Sequence, residues 1–136
     1  LEIEDFRLMN EREFKARTKD LALRVIRMIG VIPKNQIELQ IICKQLLRSA
    51  TSVGANYRSA CRAKSTAEMI SKLSIVLEEA DETLYWMELL VESGLVPAHK
   101  LGDLMNETNE IVSMLVASLK TLRSKSKQSR IYNSDG

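Results

Sequence analysis

Residues 66–92 read TAEMISKLSIVLEEADETLYWMELLVE, and this stretch decides the fold. Thr66, Ile70, Leu73, Leu77, Ala80, Leu84, Met87 and Val91 recur at alternating spacings of four and three, the period of one face of an α-helix. A strand would need alternation every second residue, and none is present. Just upstream, Ser65 and Glu68 form an S-x-x-E capping box, while Gly94 suits the stop after the last turn. The spacing therefore predicts a helix over about 66–92 with one apolar face.

The same signals extend in both directions. A helix over about 36–62 carries the seam Leu39, Ile42, Leu46, Ala50, Val53, Tyr57 and Ala60, with Asn35 and Glu38 as its capping pair. A neighbouring seam holds Cys43, Leu47, Gly54 and Cys61, which makes the apolar arc wider than one bundle core requires. Gly54 would let another helix approach closely. Asn10 and Glu13 cap a first helix over about 11–29, with Phe14, Thr18, Leu21, Val25 and Met28 inward and Gly30 at its C-terminus. Pro97 opens a fourth helix over about 97–122, carrying Leu101, Leu104, Thr108, Ile111, Leu115 and Leu122. The short connections make sequential helices antiparallel neighbours, which defines an all-α, up-down-up-down four-helix bundle over residues 1–123. Residues 124–136 read as a basic, Ser-rich, disordered tail.

Composition agrees. The 136 residues and 15.4 kDa suit one domain. Five Gly and two Pro leave too few turn residues for an all-β fold, and an apolar fraction of 45% is too high for a disordered chain. Charges interrupt every apolar run, so no membrane partner is expected. The acidic start Leu1-Glu2-Ile3-Glu4-Asp5 lacks the basic and apolar regions of a secretory signal, which makes the cytoplasm the expected compartment. Cys43 and Cys61 stand about 27 Å apart along one helix, too far for a mutual disulfide. They read as buried free thiols.

The formal net charge is only +2, but it is unevenly spread. No acidic residue separates Glu38 from Glu68, a span holding Lys44, Arg48, Arg58, Arg62 and Lys64. Lys44, Arg48, Arg58 and Arg62 share one helix face. Glu78, Glu79, Asp81, Glu82, Glu88 and Glu92 follow with no base among them, and Lys120, Arg123, Lys125 and Lys127 lead into the tail. The basic face has three readings: a solvated surface, a partner for the acidic third helix within or between chains, or a phosphate-binding surface for nucleic acid. A second stripe, Gln45, Ser49, Ser52, Asn56 and Ser59, is polar and uncharged, as expected of close helix contacts with local hydrogen bonds.

Catalytic constellations are sparse. The single histidine, His99, has no Glu three residues before it, so a di-iron carboxylate site fails, and neither cysteine sits in a reactive motif. Glu79-x-x-Glu82 and Glu107-x-x-Glu110 match the spacing with which all-α nucleotide pyrophosphohydrolases hold Mg²⁺, although those enzymes usually close the second pair with Asp. No catalytic residue, metal ligand or cofactor is assigned.

Gln45-Leu46-Leu47-Arg48-Ser49-Ala50-Thr51-Ser52-Val53-Gly54-Ala55-Asn56-Tyr57-Arg58, followed by Ala63-Lys64-Ser65 and by Glu79-Ala80-Asp81-Glu82-Thr83-Leu84-Tyr85-Trp86, resembles the bacterial 23S ribosomal RNA intervening-sequence protein family. The resemblance implies a small four-helix bundle that assembles into a ring-like homo-oligomer, with pentamers among its members. It implies kinship with the accessory protein of diversity-generating retroelements, a basic barrel that binds nucleic acid. Many relatives read Asn-Ile-Ala-Glu-Gly where this chain has Asn56-Tyr57-Arg58-Ser59-Ala60, so a charge pairing made by that Glu does not carry over. In such a ring one apolar seam of the second helix fills the core and the other meets a neighbour, and Glu78, Glu79, Asp81 and Glu82 face basic residues across it. The function expected is a non-enzymatic oligomer that binds RNA or DNA through Lys44, Arg48, Arg58, Arg62, Lys64, Lys120, Arg123, Lys125 and Lys127. The alternatives are a purely protein-interacting oligomer and, behind it, the Mg²⁺-dependent hydrolase.

Overall fold

A computed structural model of the chain describes residues 10–135; the acidic start at 1–5 lies outside them. Four helices follow in order: α1 (Glu11–Val31), α2 (Ile37–Ala60), α3 (Thr66–Glu92) and α4 (Ala98–Asp135), with no strand among the described residues. Each packs on the next in sequence, and α4 closes back on α1 through a smaller contact. This is the up-down-up-down bundle, with the start of α1, the α2–α3 turn and the far half of α4 at one end.

The caps explain the boundaries. Asn10 Oδ1 accepts from Glu13 N at 3.1 Å, and Ser65 Oγ accepts from Glu68 N at 3.1 Å. The Glu68 carboxylate turns back to Lys64 N at 3.0 Å, completing the box one residue early. Gly94 adopts a positive φ of 79°, where a Cβ would be strained, and donates to Val91 O at 3.0 Å. Two expected caps differ. The α2 cap is Gln36, with no side-chain bond of its own, and Gln40 Nε2 instead reaches Lys34 O at 2.8 Å. Gly30 lies inside α1, which ends at Val31. The Lys34 ammonium stops it by donating to the carbonyls of Ile29 and Ile32.

The core is a continuous stack that includes Phe14, Leu21, Leu46, Val53, Val76, Met87, Leu101, Ile111, Leu115 and Leu119, all fully or almost fully buried. Phe14 and Tyr57 meet edge to face at 4.6 Å. At Gly54 the backbone of α1 comes so close that an added Cβ would lie 3.4 Å from Thr18 Oγ1. The close approach expected there is made by α1. The inward face of α3 is rotated from the expected one. Leu73, Ala80 and Met87 are shared, but their buried companions are Met69, Val76, Thr83 and Leu90, while Ile70, Leu77 and Val91 are only partly buried. Both flanks of the seam are apolar, so periodicity does not separate them. Thr83 is admitted because its hydroxyl lies 3.0 Å from that of Ser49 on α2, with Glu79 O and Leu46 O as the remaining acceptors.

The fourth helix also departs from expectation. It does not stop at Leu122 but continues to Asp135, so the cations at 123–127 stand on a helix and not in a disordered tail. Between Leu122 and Asp135 there is no Gly or Pro, and Lys, Arg and Gln are good helix formers. Cys43 is buried and Cys61 half-buried, both as free thiols. Burial, joined by a hydrogen bond with Glu11, pushes the Cys61 thiol up to about 11.

Candidate nucleic-acid interface

The five cations of α2 and its following turn do not behave as one face. Arg48 leans toward α3, where its guanidinium binds Glu82 Oε1 at 2.5 Å and Glu79 Oε2 at 3.3 Å. It is neutralised inside the chain. Arg58, near the other end of α2, leans toward α1. Arg62 and Lys64 stand exposed in the α2–α3 turn, and Lys44 is exposed near the opposite end of α2. Among the described residues none of these four side chains makes an ion pair. The nearby carboxylates are engaged elsewhere: Glu68 accepts from Lys64 N and lies 3.8 Å from the Lys72 ammonium, Glu11 binds Lys15, and the acidic run of α3 begins only at Glu78.

The α4 cations reach the same end of the bundle as Arg58, Arg62 and Lys64. Lys120, Arg123, Lys125 and Lys127 are exposed on the last turns of α4, and the antiparallel pairing of α3 and α4 carries them toward the α2–α3 turn. Arg123 touches Ser74 Oγ at 3.2 Å, which fixes that level. Lys72, between them on α3, donates to Ser59 Oγ at 2.8 Å. The carboxylates of Glu88, Glu92 and Asp103 lie toward the other end, so the bundle is electrically polar along its axis. Lys15 and Lys19 of α1 belong to this basic end and are not among the residues singled out from the sequence. Their i, i+4 spacing beside Ala16 and Ala22 is the signal that marks them once α1 is placed against Arg58.

The acidic residues divide in the same way. Glu79 and Glu82 are held by Arg48, while Glu78 and Asp81 are exposed and make no ion pair among the described residues. Glu107 and Glu110 are held from α1: Arg17 Nη2 lies 2.5 Å from Glu107 Oε1 and 2.8 Å from Glu110 Oε2, and its Nε reaches Glu107 Oε2 at 3.0 Å. The guanidinium holds the Glu107 carboxyl below its ordinary range. The two Glu-x-x-Glu pairs are thus turned to different arginines on different helix interfaces. The convergence that a shared Mg²⁺ site requires is not there, and among the described residues no group of three or more His, Cys, Asp or Glu side chains gathers around a metal-sized space. His99 is exposed on the first turn of α4.

The uncharged stripe of α2 is consumed by local bonds. Ser52 Oγ donates to Arg48 O at 2.7 Å, Asn56 Nδ2 donates to Ser52 O at 2.8 Å, and Gln45 Oε1 accepts from Arg48. With Ser49 on Thr83 and Ser59 on Lys72, the stripe forms the α2–α3 contact.

The described residues form an antiparallel four-helix bundle with a basic end, and that architecture defines the class of protein. Residues 10–117 match the model of the 23S rRNA-intervening sequence protein family, and the chain belongs to that family. It is similar to a crystal structure from Bacteroides thetaiotaomicron VPI-5482, a protein of unknown function from the S23 ribosomal protein family. The two are 35% identical, the match covers 82% of this chain and 99% of that one, and the TM-score is 0.74. No curated protein matches the chain. Among the described residues no helix is long and apolar enough to cross a membrane.

Proposed function

We propose that this protein is a non-enzymatic homo-oligomer that binds RNA or DNA through the basic end of its bundle. The observation that carries the reading is that Arg58, Arg62 and Lys64 have no ion-pair partner among the described residues, while Arg48 is neutralised by Glu79 and Glu82. Unpaired cations at the same end of the bundle as Lys120, Arg123 and Lys127 are an electrostatic footprint for phosphates. The ribosomal names carried by the family and by the Bacteroides protein make structured RNA the first target to try.

The oligomer rests on a second surface. Leu23 and Ile26 of α1 and Ile37, Ile41 and Leu47 of α2 are exposed, Ile37 to 63%. Of the second seam read from the sequence only Leu47 is among them, since Cys43 is buried and Gly54 packs against α1; exposed apolar side chains gathered on one face call for a partner surface. Because Arg48 already takes Glu79 and Glu82, the acidic side of a ring contact falls to Glu78 and Asp81. The same patch is what favours the second reading, a protein-interaction module with no nucleic-acid role.

Fluorescence anisotropy with structured RNA and with duplex DNA at low salt separates the two. Binding is expected, and Arg62→Ala/Lys64→Ala should weaken it about tenfold, close to 1.4 kcal/mol. Absence of binding to either probe would leave the protein-interaction reading in its place.

A further inference from the structure

On the outer side of the α1–α2 contact lies an open groove of about 470 Å³. Its floor is made of small residues, Ala16, Gly54 and Ala55, where α1 and α2 pass close to one another. Its walls carry cations from both helices: Lys15 and Lys19 from α1 and Arg58 from α2. Among the described residues no Asp or Glu lines it. Lys15 is bound to Glu11 at 3.2 Å, outside the groove, whereas Lys19 and Arg58 make no ion pair among the described residues. Large apolar side chains that would close the groove are absent from this half of the face. They begin one to two turns further along, at Leu23, Ile26 and Leu47.

We infer that this groove seats the phosphodiester backbone of a nucleic-acid strand. The inference rests on the nucleic-acid reading above and says where on the basic end a strand lies. Three features select that occupant. The cations stand on opposite walls, so an anionic ridge between them meets positive charge from both sides. Lys15 to Ala22 runs about 10 Å along α1 at 1.5 Å per residue, long enough for an extended backbone. Among the described residues no aromatic ring lines the groove, Phe14 and Tyr57 being buried against each other. Bases therefore have no stacking platform, and the contact reads charge and not sequence.

The test uses the full chain, a fluorescein-labelled dT20 strand and a duplex of the same length, with anisotropy read across salt and the solution mass measured for every variant. Lys19→Gln/Arg58→Gln should bind dT20 at least tenfold more weakly, with a slope of log K against log salt shallower by about 1.4, two contacts at 0.7 each. Lys19→Arg/Arg58→Lys, which keeps the charges, should restore affinity, and the solution mass should not change. Three results would overturn the groove. If Lys19→Gln/Arg58→Gln binds as the parent does while Lys120→Gln/Arg123→Gln loses affinity, nucleic-acid binding stands and the strand lies elsewhere. If the Gln pair lowers the solution mass, the groove is a contact with the acidic α3 face of a second copy. If the parent chain binds neither probe at low salt, the nucleic-acid reading falls and the groove falls with it.

Discussion

Leu90→Ala is expected to destabilise the bundle by about 3 kcal/mol, whereas Val91→Ala beside it costs about 1 kcal/mol. Leu90 is fully buried on the inward face of α3, between Met87 and the α3–α4 turn. Truncating it leaves a cavity that the tightly packed neighbours cannot collapse, so the loss of transfer energy and of packing add. Val91 is only partly buried and packs against the rim of the core. Periodicity alone places them the other way, with Val91 on the seam. Urea unfolding of both variants decides between the two faces of α3. Equal losses, or a larger loss at Val91, would show that the helix is rotated from the arrangement described here.

Arg17→Ala is the second large effect, about 2 kcal/mol, from the loss of charge-assisted bonds to two carboxylates. Arg17 is one-third exposed and Glu107 less so, hence the estimate lies between those for a surface pair and a buried one. The variant also leaves Glu107 and Glu110 side by side on one face of α4 without their cation. Acid dependence gives the signature. The carboxyl of Glu107 is held below the unfolded value near 4.3, so its contribution is fully present above that value and is lost as pH falls through the lower, folded one. The parent chain should therefore lose more stability between pH 6 and pH 3 than Arg17→Ala does. Identical pH profiles would mean that the bridge contributes nothing to folding.

Much of the fold is readable from local signals, and what is not readable shares one cause. Asn10, Ser65 and Gly94 act within a turn or two of themselves, so their sequence neighbours suffice to place the helix ends. Thr83 is different. As a polar residue it pushes the expected seam toward Leu84, and only the hydroxyl of Ser49, on another helix, makes its burial favourable. The Gln36 boundary of α2 depends on Gln40 reaching back to Lys34 O, a bond with no capping-box signature. The Ser-rich composition of residues 124–129 masks the continuation of α4, although no Gly or Pro lies between Leu122 and Asp135.

The candidate site shows the same limit. A basic run is visible between Glu38 and Glu68, but which of its members are neutralised depends on contacts across helices. Arg48 meets Glu79 and Glu82, members of the acidic run that the sequence offers as one possible partner. Arg17 passes unnoticed in the mixed charges of α1, because its carboxylates are 90 and 93 residues away. Lys15 and Lys19 become part of a basic groove only when α1 lies against Arg58.

The central claim, that the basic end binds nucleic acid through cations left unpaired by the fold, is tested most directly by the salt dependence of binding to duplex DNA and structured RNA. The account predicts measurable affinity at 50 mM salt and a log K that falls linearly with log salt, with a slope of about −3 or steeper on the duplex, equivalent to three or more phosphate contacts. A flat dependence, or no binding at that salt, would contradict it and assign these cations to a protein partner.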